Sequence, residues 1–378
     1  MLILLRQIKL GWQRKQGNDR VLKGPQLESM PFREQDITGT SMNLRHRSMQ
    51  PGDIRECVDL LASDPLIASR YGPLIEELPA AWLRLLQCEA NFATVCHAEE
   101  GPHAPICFFG VAAALQDEFI REMKASPQFW VGPELTRRMM TGQSAILTYN
   151  QLREANSRGG LNLVVWEGLI RPGYEVHGEL QRYMMEIFIQ AHRGYLWKEI
   201  IAGHPESQER LEHTLKTGGY LWDPIVGSYT STLNKDSSEI VGHPHILGIT
   251  RELELKGRSK WAGSWVGALF DYHTPMLGFN RREQRLLSCA IQGATDEHLT
   301  RTLGTSLPAV KKTWVSIYRR VEGQLPGLMP ESVQSDSPVG VRGREKRRRL
   351  LAYLREHLEE LRPVSRKLLA RALASRLA

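Results

Sequence analysis

Three helix-start signals follow closely upon one another toward the C-terminal end of the chain, at Asn280, Thr295 and Ser306. Each residue carries a side-chain oxygen that can accept hydrogen bonds from the first backbone N–H groups of a helix. Gly293 is expected to end the first helix, and Gly304 is expected to end the second in a left-handed conformation. The second and third helices would then cross on a short turn, so the pattern predicts a helix-turn-helix over residues 280–321.

Each predicted helix has one apolar face, which a small helical domain needs for its core. The apolar residues are Leu286, Leu287, Ala290 and Ile291 in the first helix, Leu299 and Leu303 in the second, and Val310, Trp314, Ile317 and Val321 in the third. The outer face of the third helix is predicted to carry Lys311, Lys312, Thr313, Ser316, Arg319 and Arg320. Basic and hydroxyl side chains on a groove-entering helix can bind base edges and phosphates. We therefore expect double-stranded DNA as the partner.

The same segment resembles the LuxR/GerE-type helix-turn-helix family of bacterial transcription regulators. The residues at the family's signature positions are Glu283, Gly293, Leu299, Leu303, Val310, Lys311, Ile317, Tyr318 and Arg320. The resemblance implies that Lys311 and Lys312 make the groove contacts. It implies that Thr295, Thr305, Arg319 and Arg320 lie nearer the DNA backbone, and Thr313, Ser306 and Ser316 complete the candidate DNA-binding set.

The sequence also departs from that family at several positions. Ala309, Thr313 and Val315 stand where Thr, His and a basic residue are usual. Pro326 and Pro330 interrupt the stretch in which the family has its fourth, dimerising helix.

Positive charge is concentrated at the C-terminal end of the chain. Residues 281–378 contain 20 Lys and Arg against 10 Asp and Glu, whereas residues 1–280 contain 29 against 32, and the whole chain carries +7. Such asymmetry favours a polyanionic partner for the C-terminal end alone.

A basic tail follows the predicted helix-turn-helix domain, which we place at 275–325. Residues 331–343, rich in Ser, Pro and Gly, are predicted to be a linker. Residues 344–378 are predicted to form a basic amphipathic helical tail with leucines at helical spacing, at Leu350, Leu354, Leu358 and Leu361 and, after Pro363, at Leu369, Leu373 and Leu377. This tail either dimerises or binds phosphates, or it packs on its own domain.

Residues 41–262 alternate strand and helix patterns, which indicates an α/β or α+β domain. Strands are predicted at 43–47, 92–97, 106–115, 161–166, 196–202 and from Tyr220, and helices from Ile54 and at 80–89, 177–191 and 206–217. Residues 1–40 are predicted to be a disordered lead-in. The whole chain is thus expected to be α+β, with an all-α C-terminal part.

Three segments of this N-terminal domain are similar to parts of a known fold: Arg47–Asp53, the long helix after Val165, and Leu215–Tyr220. Together they resemble the GNAT acyltransferase fold. That family holds the CoA pyrophosphate on a glycine-rich turn at a helix start. Here Arg171–Gly178 has glycines five residues apart, with Tyr, Glu and Val between them. We therefore favour a non-catalytic sensory or oligomerising domain over an acyl-CoA-dependent N-acyltransferase, and we expect no catalytic residues and no cofactor.

The cysteines, the histidines and the lengths of the apolar runs exclude several classes of site and of protein. Five scattered cysteines without a CxxC pair argue against disulfides and zinc, and His243 and His245 lack a third metal ligand nearby. No apolar run reaches the length of about 20 residues that crosses a bilayer. We expect a cytoplasmic homodimeric regulator without membrane contact, with a small-molecule effector and RNA polymerase as further partners. An acyltransferase recruited to DNA and a nucleoid-type binder without sequence preference are the alternatives.

Overall fold

A computed structural model of the chain describes residues 43–98, 104–125, 130–174, 178–202, 211–212, 215, 219–223, 227–230, 244–253, 265–329, 339–365 and 367. Several sequence predictions lie wholly or mainly outside these residues. They include the lead-in over 1–40, most of the helix over 206–217, residues 331–338 of the linker, and the last leucines at Leu369, Leu373 and Leu377.

The strands of the described residues belong to one eight-stranded sheet. They are β1 (Arg45–Ser48), β2 (Thr94–His97), β3 (Ile106–Leu115), β4 (Leu161–Ile170), β5 (Trp197–Ile201), β6 (Tyr220–Asp223), β7 (Ser228–Thr230) and β8 (Leu247–Thr250). Their order in the sheet is β1-β2-β3-β4-β5-β8-β6-β7. The pairs β1/β2, β2/β3, β6/β7 and β6/β8 are antiparallel. The expected mixture of strands and helices is confirmed.

The helices alternate with these strands and then dominate the C-terminal part. They are α1 (Ile54–Ala62), α2 (Pro65–Tyr71), α3 (Leu78–Leu86), α4 (Asp117–Ala125), α5 (Val131–Met140), α6 (Tyr149–Ala155), α7 (Gly178–His192), α8 (Trp265–Phe270), α9 (Arg281–Ile291), α10 (Asp296–Leu303), α11 (Leu307–Gln324) and α12 (Val339–Glu356). Short 3₁₀ helices cover Pro51–Asp53, Gly72–Glu76, Pro326–Leu328 and Leu358–Leu361. No helix within the described residues is long and apolar enough to cross a membrane.

The chain divides into two compact units. Unit 1 takes in the described residues up to 146, together with those of 164–191 and 201–249. Unit 2 takes in 147–163, 192–200 and the described residues from 250 onward. The sequence boundaries placed 147–163, 192–200 and 250–253 in the N-terminal domain over 41–262, so the structure divides the chain differently there.

The core of unit 1 is built on long, apolar strands. Every residue of β3 except Gly110 is buried, so this strand is covered on both faces, as its continuous apolar sequence indicates. Trp82 of α3 contacts Phe109 of β3 edge to face, with ring centroids 5.9 Å apart. A second group of buried residues packs α7 on β2, β3 and β4, and includes Cys96, Cys107, Ile170, Leu180, Met184 and Ile187.

Helices α9 to α12 of unit 2 share one hydrophobic core. Its buried members are Leu277, Phe279, Leu286, Leu287, Ala290, Leu299, Val310, Trp314, Ile317, Val321, Met329, Leu350, Leu354 and Leu361. Helix α12, which carries the first part of the predicted basic tail, therefore packs on α9, α10 and α11 through Leu350 and Leu354, which are fully buried. The sequence left open whether the tail dimerises, binds phosphates or packs on its own domain. For Leu350 and Leu354 the structure shows packing on their own domain.

The predicted limits of the tail need three corrections. Helix α12 begins at Val339, so residues 339–343 belong to a helix and not to the linker predicted over 331–343. Proline destabilises a helix interior because it has no N–H and its ring clashes with the preceding turn, and Pro338 directly precedes this start. The helix ends at Glu356, and a 3₁₀ turn carries Leu358 and Leu361 instead of a continuing α-helix. Residues 363–365 are not helical, although a helix was predicted to start at Pro363.

Candidate nucleic-acid interface

Helices α10 and α11 are joined by a tight turn at Gly304, Thr305 and Ser306. Gly304 has φ 58° and ψ 44°, the left-handed conformation that ends a helix and that glycine adopts without a side-chain clash. Thr305 N–H donates to the carbonyl oxygen of Thr300 at 3.0 Å. The Ser306 hydroxyl accepts from Ala309 N–H at 3.4 Å and begins α11. The predicted end of the second helix and start of the third are confirmed.

The starts of α9 and α10 also follow the sequence prediction. The Asn280 side chain accepts from the N–H groups of Arg282 and Glu283, each at 3.0 Å. The Glu283 carboxylate in turn accepts from Asn280 N–H at 2.9 Å, which completes the predicted capping box. Thr295 accepts from His298 N–H at 3.2 Å at the start of α10.

Glu283 also holds α11 against α9, which the sequence did not predict. Its carboxylate is buried, accepts a hydrogen bond from Ser316 Oγ at 2.9 Å, and lies 3.2 Å from Arg320 Nε. A buried carboxylate needs such partners because burial without them costs several kcal/mol. Ser316 and Arg320, both predicted to contact DNA, are thus engaged within unit 2.

Thr313 lies on the inner side of α11. Its side chain donates to the Ala309 carbonyl oxygen at 2.8 Å, and the residue is only 8% exposed. The expectation that Thr313 is on the outer face with the lysines is therefore wrong. The physical reason is helical phase, since each residue turns by about 100° and Thr313 points away from the direction shared by Lys312 and Arg319.

Four residues of α11 form an exposed line along the helix, and we call them the outer strip: Lys311, Lys312, Val315 and Arg319. Lys311, Val315 and Arg319 are spaced four residues apart, so they lie on one face in successive turns. Val315 is 48% exposed between the positive charges. The outer strip retains three of the residues that the sequence proposed for DNA binding.

The remaining candidates lie at helix starts and in the turn. Thr295 and Ser306 are exposed and Thr305 is half-buried. Both Thr295 and Ser306 use their hydroxyl oxygens as helix caps, as described above, which leaves the hydroxyl protons able to donate to an acceptor such as phosphate.

A cleft rich in arginine lies beside the turn, and sequence reasoning missed it. It has a volume of about 480 Å³ and is lined by Arg281, Arg282, Arg285, Leu286, Leu303, Gly304, Thr305, Val310 and Thr313. The first three residues are exposed, and we call them the α9 arginines. The Arg281 guanidinium lies over the Tyr149 ring at 4.8 Å from its centroid, and Arg282 Nη2 lies 3.5 Å from Thr305 Oγ1. The signal in the sequence was the recurrence of arginine opposite the buried face of α9.

Arg347 joins α12 to the helix-turn-helix segment. Its guanidinium lies over the Trp314 ring at 4.5 Å, and it donates to Asp296 Oδ1 at 2.8 Å and to the Ala294 carbonyl oxygen at 3.0 Å. Lys346 pairs with Glu322 of α11 at 2.6 Å. These contacts give α12 a defined position on unit 2.

Part of the positive charge of α12 faces solvent. Arg344, Arg348, Arg349 and Arg355 are exposed. Arg348 and Arg349 donate to the Glu345 carboxylate at 2.8 and 2.9 Å, and these hydrogen bonds lower the pKa of Glu345 to about 2. Glu345 therefore offsets part of the charge of its two arginine neighbours at neutral pH.

The turn after β4 in unit 1 begins the segment Arg171–Gly178, which stands where the GNAT fold has its CoA-binding turn. The Arg171 side chain donates to the Ile106 carbonyl oxygen at 2.7 Å and pairs with Glu56. Tyr174 N–H donates to the Arg171 carbonyl oxygen at 3.1 Å and closes a turn that contains Gly173 with φ 96°. Residues 175–177 of the predicted region lie outside the described residues.

Unit 1 also contains a buried polar pair. Tyr71 OH donates to Glu167 Oε1 at 2.8 Å, and both residues are buried. Burial and the neighbouring carboxylate raise the pKa of Tyr71 well above its ordinary value of 10. The phenol therefore stays protonated and acts as a hydrogen-bond donor to Glu167.

The described residues hold neither a cluster of His, Cys, Asp and Glu suited to a metal ion nor a disulfide. His243 lies outside the described residues, so the His243 and His245 pair is not described as a whole. Cys57, Cys96 and Cys107 are buried thiols, and Cys107 Sγ donates to the Cys96 carbonyl oxygen at 3.2 Å.

No known family model matches the chain, and no curated protein matches it significantly. Among solved structures, an uncharacterised protein from Bacillus halodurans is 10% identical over 59% of this chain and 91% of its own, with a TM-score of 0.30. The GphF GNAT-like decarboxylase in complex with isobutyryl-CoA is 11% identical over 55% of this chain and 98% of its own, with a TM-score of 0.31. Scores this low carry no argument about the function of this chain.

Proposed function

We propose that this chain is a transcription regulator that binds duplex DNA through α9, α10 and α11, with α11 in the major groove. The observation that carries the proposal is the outer strip, whose Lys311, Lys312 and Arg319 are exposed on a helix that begins directly after the turn at Gly304. A helix presented by a tight turn at its N-terminal end is the arrangement in which helix-turn-helix proteins read DNA.

We assign the reading of bases to Lys311 and Lys312, in the first turns of α11. Lys311 and Lys312 have flexible side chains with three N–H donors each, which suit the O6 and N7 acceptors of guanine in the major groove. Because Thr313 is turned inward and Ser316 donates to Glu283, these two residues do not share that role. The two lysines therefore supply the polar part of the sequence readout.

We assign phosphate binding to Arg319 near the end of the outer strip and to residues beside the turn that precedes α11. Arg319 lies later on the outer strip, and the α9 arginines lie beside the turn with Thr305. Thr295 and Ser306 add hydroxyl donors at helix starts. The logarithm of the binding constant falls linearly with the logarithm of the salt concentration, and each phosphate that the protein neutralises adds about 0.9 to the steepness of that line.

We further infer that these helices form a LuxR/GerE-type domain. The supporting observation is that, among the residues at the family's signature positions, buried Glu283 pairs with Arg320, and Leu299, Val310 and Ile317 share one hydrophobic core. The exposed arginines of α12 extend the basic surface of unit 2, and a homodimer would allow two copies of α11 to bind two half-sites.

We propose that unit 1 controls this DNA-binding domain as a sensory or oligomerising domain that responds to a small-molecule effector, and that the regulator acts on RNA polymerase. The contacts of Arg171 with Glu56 and Ile106 support a structural use of the turn after β4. Calorimetric titration with acetyl-CoA tests this assignment. Saturable heat would favour the alternative, an N-acyltransferase recruited to DNA.

The main experiment is selection of duplexes from a random pool by the purified full chain, followed by titration of the winning duplex at several salt concentrations. Lys198→Ala, which removes an exposed lysine on β5, is the control variant for a single lost charge. We expect enrichment of one motif and affinity that falls steeply with salt. Salt-sensitive binding with uniform footprints and no motif would support a binder without sequence preference. A chain that binds no duplex contradicts the proposal.

A further inference from the structure

Val315 is an exposed apolar residue inside the basic surface of α11. Three large apolar side chains of the described residues are exposed, and they are Leu66, Leu83 and Val315. Leu66 and Leu83 belong to α2 and α3 of unit 1, whereas Val315 lies on α11. Val315 therefore contributes apolar surface at the place where we propose that DNA binds.

The neighbours of Val315 define what it can meet. Lys311 lies one turn before it and Arg319 lies one turn after it, both on the same face of α11. A groove-bound α11 with its lysines at base edges and Arg319 at a phosphate would bring Val315 to the base edges between them. Its branched side chain is restricted to few rotamers in a helix, so its methyl groups keep a fixed direction.

The major groove offers one apolar group on its base edges, the C5-methyl group of thymine. We propose that Val315 recognises a thymine by contact with this methyl group, between the positions bound by Lys311 and Arg319. This inference rests on the proposed function. The inference adds one A·T pair to the sequence that the chain must recognise. The Val315 side chain makes no hydrogen bonds, so an apolar contact with the thymine methyl is the way in which it can distinguish one base from another.

Deoxyuridine provides the test, because it replaces thymine without changing any hydrogen-bonding group and lacks only the methyl. Each thymine of the duplex selected by the wild-type chain is replaced by deoxyuridine, one position at a time. For each bound copy of α11 we expect one thymine whose replacement weakens binding by the wild-type chain about fourfold relative to the unmodified duplex. This is the effect of burying one methyl group. We expect Val315→Ala to bind the unmodified duplex more weakly than the wild-type chain does, and to lose no further affinity when that thymine is replaced by deoxyuridine.

Two variants complete the design. Val315→Thr keeps the branched shape but exchanges one methyl for a hydroxyl, and we expect it to lose part of the methyl effect. Leu66→Ala removes an exposed apolar side chain from unit 1, and we expect it to behave as the wild-type chain does. Circular dichroism tests whether each variant is folded. We expect all of them to fold, because Val315 and Leu66 are both exposed.

The outcomes separate the two proposals. If the wild-type chain binds no duplex, the proposed function and this inference both fail. If the chain binds its selected duplex, and deoxyuridine at every position either has no effect or weakens binding equally for the wild-type chain and Val315→Ala, the inference fails while the proposed function stands. A loss that is confined to one thymine and absent in Val315→Ala supports the inference.

Discussion

Glu283 accepts a hydrogen bond from Ser316 at 2.9 Å, and this contact joins the first and third helices of the candidate interface. The same carboxylate accepts from Asn280 N–H at the start of α9 and pairs with Arg320 on α11. One buried group thus fixes how α11 is rotated about its axis. With that rotation the outer strip faces solvent and Thr313 faces inward.

We expect Glu283→Ala to destabilise unit 2 by about 3 kcal/mol, because it leaves Arg320 without its buried partner and removes a capping contact. Urea unfolding followed by circular dichroism measures this change. Glu297→Ala, at an exposed position in the first turn of α10, is the matched control and should change stability by about 0.5 kcal/mol or less. Equal effects of the two substitutions would contradict the role given to Glu283.

Gly194 and Gly293 provide a matched pair for backbone strain. Both have a positive φ, 84° and 89°. A Cβ at Gly194 would lie 2.6 Å from the backbone nitrogen of Glu359, whereas a Cβ at Gly293 would meet no atom within 4 Å. We therefore expect Gly293→Ala to cost about 1 kcal/mol and Gly194→Ala at least about 2 kcal/mol more, measured by chemical denaturation. A Gly194→Ala variant as stable as Gly293→Ala would show that these backbones do not approach each other so closely.

Arg347→Ala should loosen α12 from the helix-turn-helix segment. The substitution removes a cation–π contact with Trp314 and an ion pair with Asp296, together worth about 2 kcal/mol. Hydrogen exchange of the α12 amides should become faster than in the wild-type chain. Arg348→Ala, whose side chain is 73% exposed, is the control. Protection of α12 that is unchanged in Arg347→Ala would exclude this docking contact.

Glu360 is expected to make unit 2 less stable as pH rises. Its carboxylate is buried and accepts from the N–H groups of Met276 and Leu277 at 2.8 and 2.9 Å. Burial raises its pKa above the ordinary value of 4.5. The folded state therefore binds the proton more tightly than the unfolded state. This contribution to stability is present below pH 4.5 and is lost as pH rises through the raised pKa.

Glu360→Gln removes this titration, so the free energy of unfolding should depend less on pH for the variant than for the wild-type chain above pH 4.5. Equilibrium unfolding at a series of pH values gives both curves. Parallel curves would mean that Glu360 has the same pKa in the folded and unfolded states.

Local signals predicted helices α9, α10 and α11 well. Asn280, Thr295, Gly304 and Ser306 act on backbone groups within a few residues of themselves, and short-range hydrogen bonds can be recognised in a sequence. Strand β3 was predicted with its observed limits, because a continuous apolar run between turn residues leaves little choice. Helices α4, α5 and α6 were missed because charged residues interrupt the apolar spacing in each of them.

Long-range contacts could not be predicted in the same way. Nothing in the neighbours of Glu283 indicates that Ser316 will reach it, and Thr313 was placed outside because its own sequence neighbourhood is basic. The α9 arginines were missed because the cleft exists only once α9 lies beside the turn at Gly304. The docking of α12 likewise depends on Trp314 and Asp296, which precede Arg347 by more than thirty residues.

We propose that the outer strip of α11 binds duplex DNA, and the affinities of Lys311→Ala and Lys312→Ala for the selected duplex provide the decisive test. Each variant is titrated by fluorescence anisotropy beside Lys198→Ala and against an unrelated duplex. We expect each α11 variant to bind the selected duplex at least tenfold more weakly, the loss of about 1.4 kcal/mol, and to discriminate less between the two duplexes. Affinity and discrimination equal to those of Lys198→Ala would contradict the claim.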